Sequence, residues 1–379
     1  MLCNGDEVYG VGTVLKLYAQ GAPGLRFVCL GEGPMLDWLR QHGHEVQLVK
    51  GLANFRASGS LATLMRLPTA LARGWRHAGR IDEQLGRYGV QIIHTHWLPQ
   101  QMIAGFMRRL DYRVVWHIHN NMNPRRLFGW GVRLNHQLAR WGADLILPVS
   151  DFIAANYCGC GVTVNTVHNA AARVYDSPNQ LPASPVWCLI AGRLTEGKGQ
   201  HLAVQAVIAA RRAGLDVRLD IYGGSTEGNK YADQLQEMIQ HAGAQEAIRF
   251  MGFCSDLRQR HQNYHLGLQC RIDPEPCSMW VCETLMDGVP LLASATGGTP
   301  ELIEDGVTGL LFRGNDLRDL TDKLIDLAGG PNRMNAMRKA AFLRGREHLT
   351  VERFIRQTFE AYTSLSPHPQ SDKFDPKSL

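Results

Sequence analysis

The chain has 379 residues, of which 45% are apolar and 20% are charged, and its formal net charge is +5. This is the composition of an ordinary globular protein, and the length is typical of two domains rather than one. Its apolar runs are shorter than the ~18 residues that a membrane-spanning helix needs. The nine cysteines form no Cys-x-x-Cys pair, which argues against a disulfide framework or zinc ribbon and favours reduced thiols in a cytosolic protein.

The positive charge is concentrated in the first half of the chain. Residues 1–176 carry a net charge of +7, whereas residues 177–379 carry −2. We therefore expect the first half to meet an anionic partner, either a membrane surface or an acidic acceptor. The polar residues that follow Leu2 predict no secretory leader.

Short apolar, β-branched runs alternate with helix-length amphipathic stretches along the chain. This alternation predicts parallel sheets covered by helices on both faces. Two series of about six strands predict two Rossmann-like, doubly wound α/β domains. The first series, after a very short initial strand, comprises 25–30, 45–49, 91–94, 114–117, 145–149 and 162–167. The second comprises 186–190, 217–221, 248–251, 266–270, 289–292 and 309–312.

A proline-rich segment without periodicity predicts the domain boundary. We expect an N-terminal domain over 1–173, a linker over 174–185 and a C-terminal domain over 186–350. Residues 351–365 are expected to form a C-terminal helix that crosses back to the N-terminal domain, and 366–379 a disordered tail.

The basic stretch 56–87 has two interpretations. Its arginines alternate with leucines and Trp75, a pattern that suits docking on anionic lipid. Pro68 interrupts the pattern, which favours a pair of surface helices with solvated arginines.

Four histidines cluster at the ends of two predicted strands. His94 and His96 alternate on one strand, so they share a face, and His117 and His119 end the next strand. Because no Asp or Glu accompanies them at a useful spacing, we expect side chains that line a cleft and no metal site.

A glycine-rich turn with two cations follows the strand 186–190. Arg193 and Lys198 lie five residues apart just before a predicted helix. A guanidinium fork and a compact ammonium in such a turn suit a diphosphate. The alternative is an exposed loop with solvated charges.

Two carboxylates separated by seven residues follow the strand 266–270. Glu275 precedes a predicted helix that contains Glu283. The free N–H groups at the start of this helix, around Cys277, Ser278 and Met279, suit an anionic ligand. In the alternative interpretation, Glu283 is a structural charge favoured by the helix dipole.

A glycine pair follows the strand 289–292. Thr299 as a helix cap, with Pro300 at the first helical position, would account for those two residues. It does not explain why Gly297 and Gly298 precede them.

Taken together, these motifs resemble the C-terminal half of the family 4 retaining, nucleotide-sugar-dependent glycosyltransferases, which have two facing Rossmann-like domains (GT-B type). In the first half, His94-Thr95-His96 and the strand ending in His119 are similar to the family's strand-end signals, but more weakly. The ordered motifs are Gly192-Arg193, Lys198-Gly199, Glu275 with Glu283, Asp287-Gly288-Val289-Pro290, Gly297-Gly298-Thr299-Pro300-Glu301 and Asp305-Gly306-Val307-Thr308-Gly309.

The sequence departs from the family pattern in three places. Pro276-Cys277-Ser278 replaces the common Gly-Phe-Gly, and Pro276 removes one N–H donor. The N-terminal glycines, Gly10 and Gly12, are split by Val11 rather than adjacent. His168-Asn169-Ala170 stands where Pro-Asn-Gly is usual.

The resemblance implies catalytic roles for Glu275, Arg193, Lys198 and His119. Arg193 and Lys198 would neutralise the departing diphosphate without a metal. Glu275 would bind hydroxyls of the transferred sugar, and His119 would reach that sugar from the other domain. The residues implied in donor binding are Gly10, Gly12, Arg193, Lys198, Cys277, Ser278, Met279 and Glu283, with Glu283 on the ribose.

The resemblance further implies a retaining, metal-independent hexosyltransferase that uses no cofactor beyond its UDP- or GDP-linked donor substrate. The expected partners are a nucleotide sugar and a saccharide or lipid-linked saccharide acceptor, with no nucleic acid. An anionic membrane surface is a further partner only in the lipid-docking interpretation of the basic stretch 56–87. We expect a cytoplasmic enzyme that acts in bacterial cell-surface polysaccharide, lipopolysaccharide or glycolipid synthesis. The lipid-docking interpretation of residues 56–87 would make it peripheral on the inner face of the membrane.

Three other classes of protein share features of this sequence. A nucleotide-sugar epimerase or phosphorylase of the same fold, or a non-catalytic protein that binds sugar nucleotides, remains an alternative. A nicotinamide-dependent dehydrogenase is disfavoured, because the Gly10-Val11-Gly12 segment lacks the third glycine of the dinucleotide fingerprint.

Overall fold

The computed structural model describes residues 1–7, 10–50, 67–121, 130–224 and 229–365. The expected disordered tail and the first part of the basic stretch, residues 56–66, lie outside these ranges. The chain forms two compact units. The first contains residues 1–168 together with the residues from 351 on, and the second contains residues 169–350.

The first unit is an α/β structure of parallel strands. Its strands are β1 (Leu2–Cys3), β2 (Phe27–Cys29), β3 (Val46–Leu48), β4 (Ile92–Thr95), β5 (Arg113–Ile118), β6 (Leu145–Pro148) and β7 (Thr163–Val164). Its helices are α1 (Gly10–Gly21), α2 (Pro34–Gln41), α3 (Leu67–Leu85), α4 (Leu98–Met107), α5 (Trp130–Gly142) and α6 (Asp151–Ala154), and the C-terminal helix Val351–Thr363 also belongs to it.

The strands of the first unit form two hydrogen-bonded groups. One has the order β1-β2-β3 and the other β4-β5-β6-β7, and every pairing is parallel. β1 lies beside β4, but with only two residues it forms no ladder with it. The very short first strand that the sequence predicts is thus present.

The second unit contains one six-stranded parallel sheet. Its strands are β8 (Val186–Ala191), β9 (Val217–Tyr222), β10 (Ile248–Gly252), β11 (Leu266–Gln269), β12 (Leu291–Ser294) and β13 (Gly309–Phe312). Its helices are α7 (Gln200–Arg212), α8 (Lys230–His241), α9 (Met279–Met286), α10 (Thr299–Leu302), α11 (Leu317–Ala328) and α12 (Pro331–His348), so the C-terminal helix of the first unit becomes α13.

The strand order of the second sheet is β10-β9-β8-β11-β12-β13. The chain builds outward from β8 through β9 and β10, and then returns to place β11 on the other side of β8. In open parallel sheets, ligands bind beyond the carboxyl ends of the strands at such a reversal. The loops after β8 and β11 therefore occupy the expected ligand-binding position.

The core of the second unit lies between this sheet and its helices. Val204 of α7, Leu219 of β9, Leu268 of β11 and Leu324 of α11 are fully buried in one cluster. Burying a side chain of this size contributes about 1.5–3 kcal/mol. This packing fixes the strand ends from which the candidate site residues extend.

The structure differs from the predicted strands most clearly at β12, which was expected at 289–292 and begins at Leu291. The N–H of Val289 donates to the carbonyl of Thr284 at the end of α9. Pro290 has no N–H and contributes only its carbonyl, which accepts from Gly267. The two residues therefore close the helix and lead into the strand.

In the described part of the chain, no helix combines the length and the apolar character that crossing a membrane requires.

Candidate active site

The loop after β8 is pressed against the loop after β11. Gly199 adopts φ 71°, and a Cβ at this position would lie 1.9 Å from the carbonyl oxygen of Cys270. The N–H of Ile272 donates to the carbonyl of Gly197 at 3.0 Å. These contacts require glycine at position 199 and hold the two loops together.

An ion pair joins these two loops across the reversal between β8 and β11. Lys198 Nζ lies 3.3 Å from Glu275 Oε2, and both side chains are largely buried. Burial is the main cause that lowers the Lys198 pKa, partly opposed by Glu275 and reinforced by the positive charges of Arg271 and Arg193. Lys198, Arg193 and Glu275, which sequence reasoning selected, thus lie in one cluster.

Arg271 is a member of the cluster that sequence reasoning missed. Its Nη1 lies 3.0 Å from Glu275 Oε2, the oxygen that Lys198 also contacts. Arg271 follows β11 at the second residue past the strand end, so the rule that ligand-binding residues follow strand ends could have identified it. Asp273 lies close to the same loops, near Gly197.

The glycine pair after β12 packs on Glu275. Gly297 adopts φ 61°, and a Cβ there would lie 2.2 Å from the carbonyl oxygen of Glu275. The N–H of Gly298 donates to that same carbonyl at 2.8 Å. The glycine pair therefore positions the Glu275 loop, which helix capping alone left unexplained.

The alternative interpretation, in which Thr299 caps the next helix, differs from the structure. Gly298 occupies the N-cap position of α10, and Thr299 is already helical, with no side-chain cap. The hydrogen bond that Gly298 donates to the Glu275 carbonyl turns the chain one residue earlier than the sequence pattern suggested.

The start of α9 is built by the segment that replaces the common Gly-Phe-Gly. Ser278 caps the helix, because its Oγ accepts from the N–H of Val281 at 3.4 Å. The buried Cys277 offers its carbonyl to Asn169 Nδ2 at 2.9 Å. The Ser278 hydroxyl is therefore engaged in capping, while the first turn, which begins at Met279, retains N–H groups without intrahelical acceptors.

Glu283 lies on α9 with its carboxyl group buried. Burial raises its pKa to about 7, with Arg258 opposing and Asp287 adding to the shift. Among the described residues, none is hydrogen-bonded to this carboxyl group. The side chain retains some solvent exposure, so its carboxyl group can accept a hydrogen bond from a ligand hydroxyl.

Asp287, in the Asp-Gly-Val-Pro motif, has a structural role. It is fully buried and receives hydrogen bonds from Arg258 Nη2 at 2.5 Å and Nε at 3.0 Å. His261 Nδ1 lies 2.9 Å from the same carboxylate. This network fixes the short helical turn 257–263 against the end of α9.

The expected site residues of the first unit fall into two places. Gly10 begins α1, with open space where a side chain would lie, whereas a Cβ at Gly12 would lie 2.6 Å from the carbonyl of Glu7. Gly12 is thus required for packing within the unit.

The buried Glu7 carboxyl, whose pKa is raised to about 7 mainly by burial, was also missed by sequence reasoning.

His119 lies just beyond β5 among the other strand-end histidines. Its Nε2 is 2.9 Å from His96 Nδ1, and the two rings stack with centroids 5.2 Å apart. Burial lowers its pKa to about 3. His119 is therefore neutral at physiological pH and serves as a hydrogen-bonding group rather than a cation.

Known protein families match both units. Residues 175–344 match the family described as Glycosyl transferases group 1, and residues 35–171 match Glycosyltransferase Family 4. The chain is 26% identical, over 322 residues, to a GDP-mannose-dependent alpha-(1-6)-phosphatidylinositol monomannoside mannosyltransferase of Mycolicibacterium smegmatis. That match covers 71% of this chain and 83% of the relative.

A second relative is WcaL of Escherichia coli strain K12, described provisionally as a colanic acid biosynthesis glycosyltransferase. It is 27% identical over 253 residues, which cover 62% of this chain and 61% of WcaL.

Solved structures share the fold over nearly the whole chain. Anabaena Alr3699/HepE in complex with UDP superposes with a TM-score of 0.79 at 19% identity, covering 96% of this chain and 99% of that one. The lipopolysaccharide outer core galactosyltransferase WaaB superposes with a TM-score of 0.71 at 15% identity, covering 96% and 98%. These likenesses confirm the predicted GT-B type fold, and the two family matches together show that the chain belongs to glycosyltransferase family 4.

Proposed function

We propose that this glycosyltransferase moves a hexose-type sugar from a UDP- or GDP-linked donor to a hydroxyl of a saccharide or lipid-linked saccharide. Transfer would retain the anomeric configuration and need no metal at the diphosphate. The observation that carries the proposal is the cluster of Lys198, Arg271 and Glu275 at the reversal of the second sheet.

The cations of this cluster suit a diphosphate leaving group. Arg193 and Lys198 lie on one loop, close enough for the charge of Arg193 to lower the Lys198 pKa. Hydrogen bonds to charged groups contribute about 1.5–3 kcal/mol each. When they form to charge that develops as the nucleotide departs, they lower the barrier rather than only tightening binding.

Glu275 suits a hydroxyl acceptor better than a nucleophile. One of its oxygens lies within 3.3 Å of two cations, which stabilise the carboxylate and reduce its tendency to attack carbon. A carboxylate so held accepts hydrogen bonds from hydroxyls of the transferred sugar. The acceptor hydroxyl would then attack on the face from which the nucleotide leaves, and the configuration would be retained.

The donor nucleoside would be held by α9. Its first turn offers N–H groups to phosphate, and Glu283, one helical turn further on, would accept from ribose hydroxyls. The similar proteins differ in nucleotide, which is that of GDP-mannose for the Mycolicibacterium smegmatis mannosyltransferase and UDP for the HepE complex. We therefore propose both nucleotides as candidates for this chain.

A basic face of α3 would bring the enzyme to an anionic membrane. Arg73, Arg76 and Arg80 are exposed, and Trp75, which lies among them, is 51% exposed. Co-sedimentation with anionic vesicles at low and high salt tests this; no binding at low salt would contradict it.

The reaction itself is tested by incubating the protein with UDP-glucose or GDP-mannose and candidate acceptors. Nucleotide release that depends on acceptor, with a product whose anomeric proton shows retained configuration by NMR, is the expected result. Sugar 1-phosphate formed from inorganic phosphate would indicate a phosphorylase, acceptor-independent isomerisation of the donor an epimerase, and binding without turnover a non-catalytic protein.

A further inference from the structure

Three buried imidazoles meet inside the first unit. His94 lies on β4, His96 follows it directly and His117 lies on β5, and each is at most 3% exposed. Each ring offers one nitrogen that lies within 4.8 Å of the nitrogens offered by the other two. The sheet pairing explains this approach, because His94 is in register with Val115, two residues before His117.

A second partner holds each ring through its Nδ1. His94 Nδ1 lies 2.5 Å from the Tyr362 hydroxyl, His96 Nδ1 lies 2.9 Å from His119 Nε2, and His117 Nδ1 lies 3.3 Å from the Tyr18 hydroxyl. The Nε2 of each of the three rings is buried and has no hydrogen-bond partner among the described residues. Metal-binding histidines are typically held in this way, by a second partner on the nitrogen that does not bind the metal.

The hydrogen bonds around Tyr18 fix the tautomer of His117. Thr358 Oγ1 donates to the carbonyl of Phe354 at 2.9 Å, so its proton is committed. The Tyr18 hydroxyl, 3.0 Å from Thr358 Oγ1, must then donate to it. The Tyr18 oxygen is left to accept from His117 Nδ1–H, which places the lone pair of His117 on its Nε2.

The same tautomer is available to the other two rings. The Tyr362 oxygen can accept from His94 Nδ1–H, and His119 Nε2 can accept from His96 Nδ1–H. Each Nδ1 is engaged, and each ring places one nitrogen within 4.8 Å of the other two, so the Nε2 lone pairs are the ones left for a shared ligand. One water has two protons to donate and satisfies two of them, whereas one cation can bind all three.

We propose that His94, His96 and His117 form a three-histidine site for a divalent transition metal, Zn²⁺ by ligand chemistry. Imidazole nitrogens suit Zn²⁺, Cu²⁺ and Ni²⁺, whereas Mg²⁺ and Ca²⁺ prefer oxygen ligands. The lack of a nearby Asp or Glu, which argued against a metal at the level of sequence, is no obstacle, because three histidines can bind zinc without a carboxylate. Zn–N bonds of about 2.0–2.1 Å hold nitrogens about 3.4 Å apart, so binding draws the rings inward.

The site would act as a positioning element. It links β4 and β5 and, through Tyr362 and Tyr18, joins them to α13 and α1. With a metal on His96 Nε2, His96 Nδ1 carries the proton and His119 Nε2 accepts from it, which sets the tautomer of His119. The metal does not take the place of the cations proposed for the donor diphosphate, which lie in the second unit.

Metal content and affinity test the site in the full-length protein, purified without a polyhistidine tag and treated with chelator. We expect one equivalent of Zn²⁺ per chain after reconstitution, and a Co²⁺ absorption spectrum typical of nitrogen ligands. His117→Gln and His94→Gln should lose this equivalent, and Tyr18→Phe should weaken it by about 10–100-fold. His136→Gln is the matched control, because His136 bonds a backbone carbonyl in the same unit but away from the cluster.

A wild-type protein that binds no Zn²⁺, Co²⁺, Ni²⁺ or Cu²⁺ stoichiometrically would overturn the proposal, as would folded His117→Gln that binds with wild-type affinity. If the ligand variants fail to fold, the wild-type protein still decides the question. The ¹⁵N signals of three buried imidazoles should shift together on adding one equivalent of Zn²⁺. Shifts confined to exposed histidines would show surface binding only and contradict the site.

Discussion

Lys198 Nζ lies 3.3 Å from Glu275 Oε2, across the point where the strand order of the second sheet reverses. Arg271 Nη1 contacts the same carboxylate oxygen at 3.0 Å. One acid thus holds two cations that stand 73 residues apart in the chain. We interpret this cluster as a donor site in its resting state, in which Glu275 occupies Lys198, a cation that a diphosphate would later share.

Arg271 should position Glu275, since it binds the carboxylate that we assign to the sugar. Replacing it in Arg271→Gln leaves Lys198 as the only cation that contacts Glu275 among the described residues. We expect a reduced kcat with little change in nucleotide affinity. Steady-state kinetics with a saturating acceptor, together with UDP or GDP titration, separates the two effects.

The control for Arg271→Gln is Arg260→Gln, which also removes an arginine paired with an acid four residues away, but on an exposed surface. Surface pairs of this kind contribute about 0–1 kcal/mol, so the control should be active. Equal kinetics for the Arg271 variant and wild type would remove Arg271 from the site.

Gly297 should be required for activity because it shapes the Glu275 loop. Both Gly297→Ala and Gly306→Ala place a side chain at positive φ, 61° and 81° respectively, which costs about 1–2 kcal/mol. Only at Gly297 would the new Cβ clash with backbone, at 2.2 Å from the carbonyl oxygen of Glu275. At Gly306 the new Cβ would lie in open space.

We therefore expect Gly306→Ala to lower the melting temperature slightly and retain transfer activity. Gly297→Ala should lose most activity per folded molecule, as judged by circular dichroism and initial rates. Similar activity in the two variants would show that the glycine pair does not control the site.

Glu283 should make nucleotide binding depend on pH near neutrality. Its pKa is raised from 4.5 to about 7, so the carboxylate that accepts ribose hydroxyls forms only as the pH rises through 7. UDP or GDP affinity, measured by calorimetry from pH 6 to pH 8, should increase over this range. Glu283→Gln should bind more weakly and lose the increase; an unchanged pH profile in the variant would contradict the assignment.

The Glu283 carboxyl group should also make the stability of the protein depend on pH, but stability should fall as the pH rises, whereas nucleotide affinity should increase. Between pH 4.5 and about 7 the unfolded chain ionises at Glu283 before the folded chain does. The free energy of unfolding therefore falls as the pH rises through this window, by about 1.4 kcal/mol for each unit of pKa difference. Glu283→Gln should be more stable than wild type above pH 7, and urea unfolding would show that difference shrinking towards pH 4.5.

The sequence predicts most of the fold because its strands are apolar, short and evenly spaced. The predicted strands of the second series overlap β8 to β13, and the short first strand was anticipated. β12 was misplaced by two residues because Val289 and Pro290 are apolar like strand residues, although the N–H of Val289 closes α9 and Pro290 has no N–H to donate to a sheet. The strands of the first unit form two hydrogen-bonded groups because β1, with two residues, forms no ladder with β4. Apolar periodicity does not predict that length.

The candidate site was predictable only in part. Arg193, Lys198 and Glu275 could be selected from their motifs, but the contact between Arg271 and Glu275 depends on how the loop folds back after β11. The histidine cluster shows the same limit. Alternation predicts that His94 and His96 share a face, whereas the approach of His117 depends on the register of β4 and β5. The roles assigned to the residues in those motifs stay predictions until variants are assayed.

The most direct test of the proposed donor site is sugar transfer by Lys198→Ala at equal concentrations of folded protein. The assay follows transfer of labelled sugar from UDP-glucose or GDP-mannose to acceptor, with Arg318→Ala, whose side chain is 91% exposed, as the control. We predict wild-type transfer in the control and loss of transfer in Lys198→Ala, although the variant remains folded. Undiminished transfer by a folded Lys198→Ala would contradict it.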